Sequence, residues 1–481
     1  MKRVFFLIIP TVALAGCVVG PDYEGPPALP SAGAIQPKFA SHPPGTHTDT
    51  PALEEWWLVL QDPVLNEIEK LALASAPDLA AAQARTAQAR ATLRSEKANR
   101  WPTAGVQATT IQGKLPGLDL QRETSPQTTA PPEDSSSLSF YNFGLNANWE
   151  ISLAGAEQRK VESANALLAA AVANEADAHV QLTAEVALVY VDLREQQSRR
   201  SNLREQFRLQ QEVLKLQTQR FERGVIPAFA VGEADTQLQS IAADIAASEA
   251  EVTVSKYTLA VLCGQWPGQL DVKLAEGGAI PLPPEQVQIG DPTSLLQRRP
   301  DVRAAERNLA ASTARIGIAT ASRFPKLSFM GILGVGGTSL SEFDFGNPSM
   351  LAIPQLQWGL LDFGRSRAAI DRADAARQES EAQYEKTVLA ALQDAESSLA
   401  RFGQQRATSI AFLKIRDSAN RALALNQDRF DAGVISTGDL NVSARQKLAA
   451  QVRFDQSTAA LTKSFIAVQK SLGLGWRNPG F

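Results

Sequence analysis

The chain is written twice, and that duplication restricts its fold more than any other feature. Ala76-Pro77-Asp78-Leu79 returns as Arg299-Pro300-Asp301-Val302, and Arg100-Trp101-Pro102 returns as Arg323-Phe324-Pro325, both 223 positions later. Beyond them Trp149 returns as Trp358, Arg220-Phe221-Glu222-Arg223-Gly224-Val225-Ile226 as Arg429-Phe430-Asp431-Ala432-Gly433-Val434-Ile435, and Gly264 as Gly473, all at an offset of 209. One supersecondary unit is therefore used twice. The two offsets differ by 14 residues, so the first copy carries extra chain between Trp101 and Trp149. Residues 109–137 there are rich in Pro, Thr, Ser and Gly, which predicts a longer loop than in the second copy.

Each copy reads as medium helix, strand, loop, strand, very long helix, tight turn and medium helix. Residues 156–223 contain no Gly or Pro and are dominated by helix formers. At ~1.5 Å per residue they make a helix of ~100 Å. The second copy repeats this over 365–432, interrupted only by Gly403. Phe207, Leu214 and Phe221 fall seven apart, the spacing of coiled-coil packing, and a lone helix would leave them wet. Gly224 and Gly433 stand where the chain must reverse, because glycine accepts positive φ at a helix end. Returning helices over 233–263 and 439–472 have about half the length of their partners. Helices over 64–99 and 293–322 supply the rest if they stack end to end with the returning ones. The joins then lie midway, where the Pro-rich linker 265–291 and both termini are expected to form a belt.

From Phe140 the residues alternate: Tyr141, Phe143, Leu145, Ala147 and Trp149 on one face, Asn142, Gly144, Asn146 and Asn148 on the other. That is the pattern of a membrane barrel strand, or of a half-buried soluble one. Trp101, Trp149, Phe324 and Trp358 fall at strand–helix junctions, as membrane-interface aromatics do. Strands over 103–110, 326–335 and 349–358 alternate less well; Met330 and Ile332 share a face with Ser328, and Pro354 is comfortable only at an edge, bulge or strand end. Four strands cannot close in lipid, since an open edge leaves backbone groups unpaired. Two chains give eight strands and a filled barrel, whereas three give twelve and a lumen. Cyclic symmetry then makes the helices a hollow cylinder.

Lys2 and Arg3 followed by a short apolar run form an export signal too short to span a bilayer. The run ends in Leu14-Ala15-Gly16-Cys17, which resembles the lipobox of bacterial lipoproteins. The expected organisation is a signal peptide over 1–16, a lipidated N-terminal arm over 17–61 starting at Cys17, a first repeat over 62–290, a second over 291–476 and a tail over 477–481. By the same likeness Val18, rather than Asp, suggests sorting to the outer membrane. The Pro-, Ala- and Ser-rich arm reads as an extended tether lying on the body.

Chemistry of other kinds finds no support. With 47 basic and 51 acidic side chains, no nucleic-acid partner is expected. His42, His47 and His179 lack metal-ligand spacing, and no catalytic constellation or cofactor motif stands out, so no enzyme, metal or cofactor is expected. Asp362-Phe363-Gly364 has none of the loops a kinase needs, and Gly334-Val335-Gly336-Gly337 lacks the third spaced glycine of a dinucleotide site. Cys263 corresponds to Leu472, which predicts a packed, apolar role.

Taken together, the chain resembles the TolC-like outer-membrane efflux protein family, in its lipoprotein (NodT/OprM-like) branch that serves resistance-nodulation-division pumps. The likeness rests on the Cys17 lipobox, Trp56-Trp57 followed by Asp62-Pro63 and Leu65-Asn66, Arg299-Pro300-Asp301-Val302, Arg315-Ile316-Gly317, Phe324-Pro325, Trp358 with Asp362-Phe363-Gly364, and the two Arg-Phe-x-x-Gly turns. It implies a mainly α fold with a transmembrane β-barrel: a homotrimer with twelve strands and a twelve-helix coiled-coil tunnel. It also implies a passive outer-membrane conduit for small molecules, partnered by a periplasmic adaptor (membrane fusion) protein and an inner-membrane pump. By that likeness Gly224, Val225, Ile226, Gly433, Val434 and Ile435 form the adaptor-contacting tip. Asp439 matches an aspartate ring at the periplasmic gate, with Ala230 in its place in the first copy; it could equally be the N-cap of its helix. The other reading is a periplasmic adaptor or scaffold lipoprotein, which predicts one hairpin and Gly-rich β-domains.

Overall fold

The structure, a computed structural model, describes residues 18–26, 38–49, 51, 54–115, 136–275, 277–339, 344, 346 and 348–476. In the first copy a two-residue strand β1 (Thr46–His47) and a 3-10 turn (Trp56–Leu60) precede α1 (Pro63–Ser75), α2 (Pro77–Ala98), β2 (Thr103–Leu115), β3 (Ser136–Ser152), α3 (Ala156–Glu222) and α4 (Ala228–Leu262). A short β4 (Val287–Gln288) leads to the second copy: α5 (Pro292–Arg298), α6 (Pro300–Ala321), β5 (Lys326–Gly337), β6 (Ser349–Gln357), α7 (Arg365–Asp431) and α8 (Thr437–Ser471). The duplication is kept in the lengths. Helices α3 and α7 have 67 residues each, α4 and α8 have 35, and α2 and α6 have 22.

Two corrections concern helix ends. The helices expected over 64–99 and 293–322 are each broken, at Ala76 (ψ 126) and Arg299 (ψ 120), because Pro77 and Pro300 clash with a helical preceding residue. The returning helices also start earlier than expected, at Ala228 and Thr437. At the start of α1 the Asp62 carboxylate accepts from the N–H groups of Val64 and Leu65 (2.9 and 3.0 Å), and Pro63, which has no N–H to satisfy, takes the first helical position.

The chain divides into two compact units. One comprises Pro27–Ala87, Ala169–Glu306 and Ala382–Phe481. Its core gathers Trp57, Leu65, Ile68, Tyr190, Leu259, Leu295, Phe402, Phe465 and Leu472, drawn from α1, α3, α4, α5, α7 and α8. The expected end-to-end joins are here. Gly264 (φ 64) ends α4 against Ser75 and Pro77, where a Cβ would sit 2.2 Å from the Ser75 carbonyl oxygen, and the Ser75 hydroxyl donates to the Cys263 carbonyl at 2.7 Å. At the second join Gly473 (φ 69) packs on Arg299 and Pro300, and the Arg299 Nη1 donates to the Ser471 carbonyl at 2.9 Å. A hydroxyl in one copy and a guanidinium in the other thus satisfy the carbonyls a helix end leaves open.

Within this unit, the described part of the arm lies on the body. Phe39 is buried, the N–H groups of Ala40 and Ser41 donate to Glu396 of α7 at 2.7 and 2.8 Å, and β1 pairs in parallel with β4. Gly403 leaves α7 continuous; its missing side chain makes room for Pro43, which a Cβ would approach to 3.0 Å. The linker is pinned as well, the Gln197 amide donating to the Leu274 carbonyl at 2.8 Å.

The other unit comprises Met1–Pro26, Gln88–Leu168 and Arg307–Glu381. It holds a four-stranded antiparallel sheet in the order β2-β3-β5-β6, so the two copies join through their inner strands. Residues of the first copy expected to be loop are partly strand: β2 runs on to Leu115 and β3 begins at Ser136. Part of the additional chain therefore lengthens strands, since β2 and β3 have 13 and 17 residues against 12 and 9 in β5 and β6, and the segment 116–135 between β2 and β3 is still longer than the segment 338–348 between β5 and β6. Residues 18–22 of the arm lie on this unit, with the Val19 N–H donating to the Ala154 carbonyl at 3.2 Å. Cys17, the signal segment 1–16 and the tail 477–481 lie outside the described residues.

Candidate functional site

Register turns the weakly patterned strands into one coherent surface. Residues directly opposite one another share a face. One face therefore carries the rows Val106-Leu145-Leu333-Met350, Ala104-Ala147-Gly331-Ala352, Trp149-Phe329-Pro354 and Ile151-Leu327-Leu356. Every residue in these rows is apolar, and Val106, Leu145, Leu333 and Met350 are exposed. The opposite face carries Gln107-Gly144-Gly334-Ser349, Glu150-Ser328-Gln355 and Gly105-Asn146-Ile332-Leu351, polar with an apolar patch toward β6. An exposed apolar face four strands wide suits lipid rather than water. Pro354 sits on the edge strand β6, the position in a sheet where proline is tolerated.

The junction aromatics anchor the strand ends in a way no composition shows. The Trp149 indole donates to the Arg100 carbonyl and the Trp358 indole to the Arg323 carbonyl, both at 3.0 Å. Each ties the end of its copy's second strand to the start of its first. Trp149 stacks on Phe329 with ring centroids 6.0 Å apart, whereas Trp101 is 72% exposed and Phe324 is also exposed. Ring bodies outside and N–H groups satisfied inward are what an interfacial aromatic needs.

In the helical unit the two reversals are nearly superposable in their bonding. Gly224 (φ 73) donates to the Phe221 carbonyl at 2.8 Å and Val225 to Arg220 at 2.9 Å; Gly433 (φ 74) donates to Phe430 and Val434 to Arg429, both at 2.8 Å. This pair of bonds closes a helix with a left-handed glycine. It leaves Val225 and Val434 61% and 66% exposed, with Ile226 and Ile435 partly covered beside them. Packing loosens toward these turns: Leu203 and Leu209 are buried, Phe207 and Leu214 half-buried, and Phe221 exposed.

Asp439 is not the N-cap of α8. That place belongs to Ser436, whose hydroxyl accepts from the Asp439 N–H at 3.2 Å while the Asp439 carboxylate accepts from the Ser436 N–H at 3.1 Å and hydroxyl at 2.7 Å. Gly438 precedes Asp439 without capping anything, so sequence adjacency pointed to the wrong residue. The Ser436 hydroxyl, then its N–H, hold the exposed Asp439 carboxyl below the usual carboxylate range. At Pro227, the first-copy equivalent of Ser436, no side chain caps α4.

Some groups went unnoticed in the sequence. Glu69 of α1 is 0% exposed and neither carboxylate oxygen has a partner among the described residues, so burial pushes its carboxyl well up. Nearby Cys263 is fully buried, and burial, with Glu69 adding to it, pushes the thiol up to about 12. A helical-face count places Glu69 among Leu65, Ile68 and Ala72 and could have flagged it. Among the described residues no group of His, Cys, Asp or Glu is placed to hold a metal, and no helix is long and apolar enough to cross a membrane.

A sheet apolar on one face and open at both edges, in a chain that also holds duplicated long helical hairpins, defines a subunit of an outer-membrane channel. The comparisons with known proteins agree. The profile of the family described as outer membrane efflux protein matches residues 69–265 and 292–474. Nodulation protein T of Rhizobium leguminosarum bv. trifolii is 27% identical over 471 residues, covering 98% of this chain and 96% of that protein. The pyoverdine export outer membrane protein OpmQ of Pseudomonas aeruginosa is 28% identical over 470 residues, covering 97% and 96%. The solved outer-membrane channel OprN aligns with a TM-score of 0.82 at 30% identity, covering 96% of this chain and all of that one. The chain belongs to the outer membrane efflux protein family, and its role is that of a channel rather than an adaptor.

Proposed function

We propose that three copies close a twelve-stranded barrel in the outer membrane, and that their helices enclose a tunnel through which small molecules leave the cell passively. The observation that carries this is the sheet: one apolar face and two unpaired edges, β2 and β6. Edges cannot remain open in lipid, and β6 of one copy is free to pair with β2 of the next. Cys17 carries the lipid that fixes the arm to the inner leaflet, and Trp101, Trp149, Phe324 and Trp358 mark the membrane boundary. The exposed apolar tips at Val225-Ile226 and Val434-Ile435 are the docking surface for a periplasmic adaptor, which links the duct to an inner-membrane resistance-nodulation-division pump that supplies the energy. Asp439 contributes one carboxylate per copy to a gate ring, in addition to its bonds with Ser436; three like charges about one axis repel one another and draw cations.

Planar-bilayer recording of the purified protein tests this. Discrete cation-selective conductance is expected, and replacing Asp439 by Ala should raise the conductance and weaken the selectivity. Absence of conductance from wild type and Asp439→Ala alike sinks the channel reading. Globomycin should leave unprocessed precursor if Cys17 is acylated.

A further inference from the structure

The two helix joins close in the same way with different residues. The repeat places Ala76, Val189, Val261 and Leu262 around the first join; the equivalent positions around the second hold Arg299, Ser398, Lys470 and Ser471. An apolar lining is therefore enough to seat one helix end on its successor, and packing does not require the charges at the second join. They line a cavity of about 340 Å³ that α3, α7, α8 and the start of α6 bound within the helical unit. Small-ligand sites begin at about this size, ~300 Å³.

Three cations and three acids line the cavity: Arg299, Arg401 and Lys470, and Asp177, Asp301 and Asp394. Arg299 is already engaged inside the chain. Its Nε and Nη2 donate to the Asp301 carboxylate at 3.0 and 2.7 Å, and Asp394 lies 3.6 Å from Nη2. By contrast Lys470, Arg401 and Asp177 make no ion pair among the described residues. Burial, and then the neighbouring Asp301 carboxylate, raise the Asp177 carboxyl; a cation placed beside it offsets both. Charges of both signs are thus left for an occupant. A simple anion would meet Asp177 and Asp394, a simple cation would meet Lys470 and Arg401, and an apolar solute would strip water from all of them. A solute carrying both signs avoids each of these costs.

The cavity opens on the side of the helices away from the belt. The belt segments touch Glu396 of α7, Thr462 of α8 and Gln197 of α3, through Ala40 and Ser41, Pro281 and Leu274. At ~100° per residue, Asp394 and Arg401 lie ~160° and ~140° round α7 from Glu396, Ala467 and Ser471 lie ~140° and ~180° round α8 from Thr462, and Asp177 lies ~160° round α3 from Gln197. Three helices agree. In a closed cylinder the side free of the belt is the one that faces the axis.

We propose that this cavity is a binding station on the tunnel wall for small zwitterionic solutes, with Lys470 and Arg401 taking the carboxylate and Asp177 and Asp394 the ammonium. The place on the wall rests on the conduit proposed above and gives it a class of cargo, whereas the binding itself needs only one chain. Affinity at such a station is weak, since a solute that is to pass must also leave.

Saturation-transfer NMR on the full-length mature lipoprotein in detergent tests the binding, with L-alanyl-L-alanine as the probe. It should saturate with a dissociation constant on the order of 1 mM. Its N-acetyl derivative, which lacks the ammonium, and its amide, which lacks the carboxylate, should each bind at least about tenfold more weakly. Lys470→Met with Arg401→Met should weaken the dipeptide and tighten the amide; Asp177→Asn should weaken the dipeptide and tighten the N-acetyl form. These opposite shifts separate lost charge from lost fold, which would weaken all three probes together. Equal affinity for the three probes in wild type, no saturable signal from the dipeptide, or variants that move all three alike overturns the station. In planar bilayers the dipeptide should add noise to the wild-type current and none to that of the double Met variant. Binding by NMR with a silent current overturns the place on the wall and leaves the site standing. A protein without any conductance overturns the conduit itself.

Discussion

Glu69 should make this protein less stable as the pH rises, and removing its carboxyl should abolish that dependence. Its carboxyl lies fully buried on α1 with both oxygens unpartnered among the described residues, and burial raises its pKa well above 4.5. With the folded value raised, folding takes up a proton once the pH exceeds the unfolded value. The stabilising contribution is complete below ~4.5 and is lost as the pH climbs toward the folded value. One proton corresponds to ~1.4 kcal/mol per pH unit, so the loss over the first one to two pH units above the unfolded value is on the order of 1–3 kcal/mol. An unpartnered buried polar group costs a further ~1–3 kcal/mol at any pH. Glu69→Met keeps the volume and removes both contributions. Thermal midpoints of wild type and Glu69→Met, scanned at one rate in detergent from pH 5 to 8, should therefore separate progressively, with the variant higher. Glu69→Gln, which keeps an unpartnered amide but no titration, should run parallel to Glu69→Met and below it. A wild-type-to-Met gap that stays constant with pH would refute the assignment of a buried neutral acid.

Other substitutions read out single contacts. Trp149→Phe and Trp358→Phe each forfeit an indole bond to a backbone carbonyl, so each should cost ~1 kcal/mol, visible as equal drops in melting temperature. Gly433→Ala places a side chain at φ 74, which costs ~1–2 kcal/mol and should show as faster proteolysis at that turn with the rest of the fold intact. The Cys263 thiol, pushed up to about 12 and buried, should resist maleimide at pH 7.5 until the protein unfolds, which makes it a label for unfolding. Ser436→Ala, which removes the N-cap hydroxyl of α8, should weaken the start of that helix by ~1 kcal/mol and speed amide exchange there.

What could be read from the sequence was local or repeated. The absence of Gly and Pro over 156–223 determined α3, and the glycines at 224 and 433 determined the reversals, because helix formation and its termination depend on residues within a few positions of one another. The duplication carried these readings from one copy to the other. The breaks before Pro77 and Pro300 are equally local, since proline restricts only the residue that precedes it. Other features depended on distant chain. The strand β5 looks poorly patterned alone, yet opposite β3 and β6 its Leu327, Phe329 and Leu333 complete rows that are apolar across the sheet. Register decides which face each residue occupies, and register is set by partners that the sequence of one strand does not contain. For the same reason only tertiary structure could show that Asp439 bonds to Ser436, that Arg159 holds the arm, and that Glu69 lies in the core without a partner among the described residues. The repeat determined the parts list; packing decided what each side chain faces, because burial and hydrogen bonding belong to pairs of residues rather than to single ones.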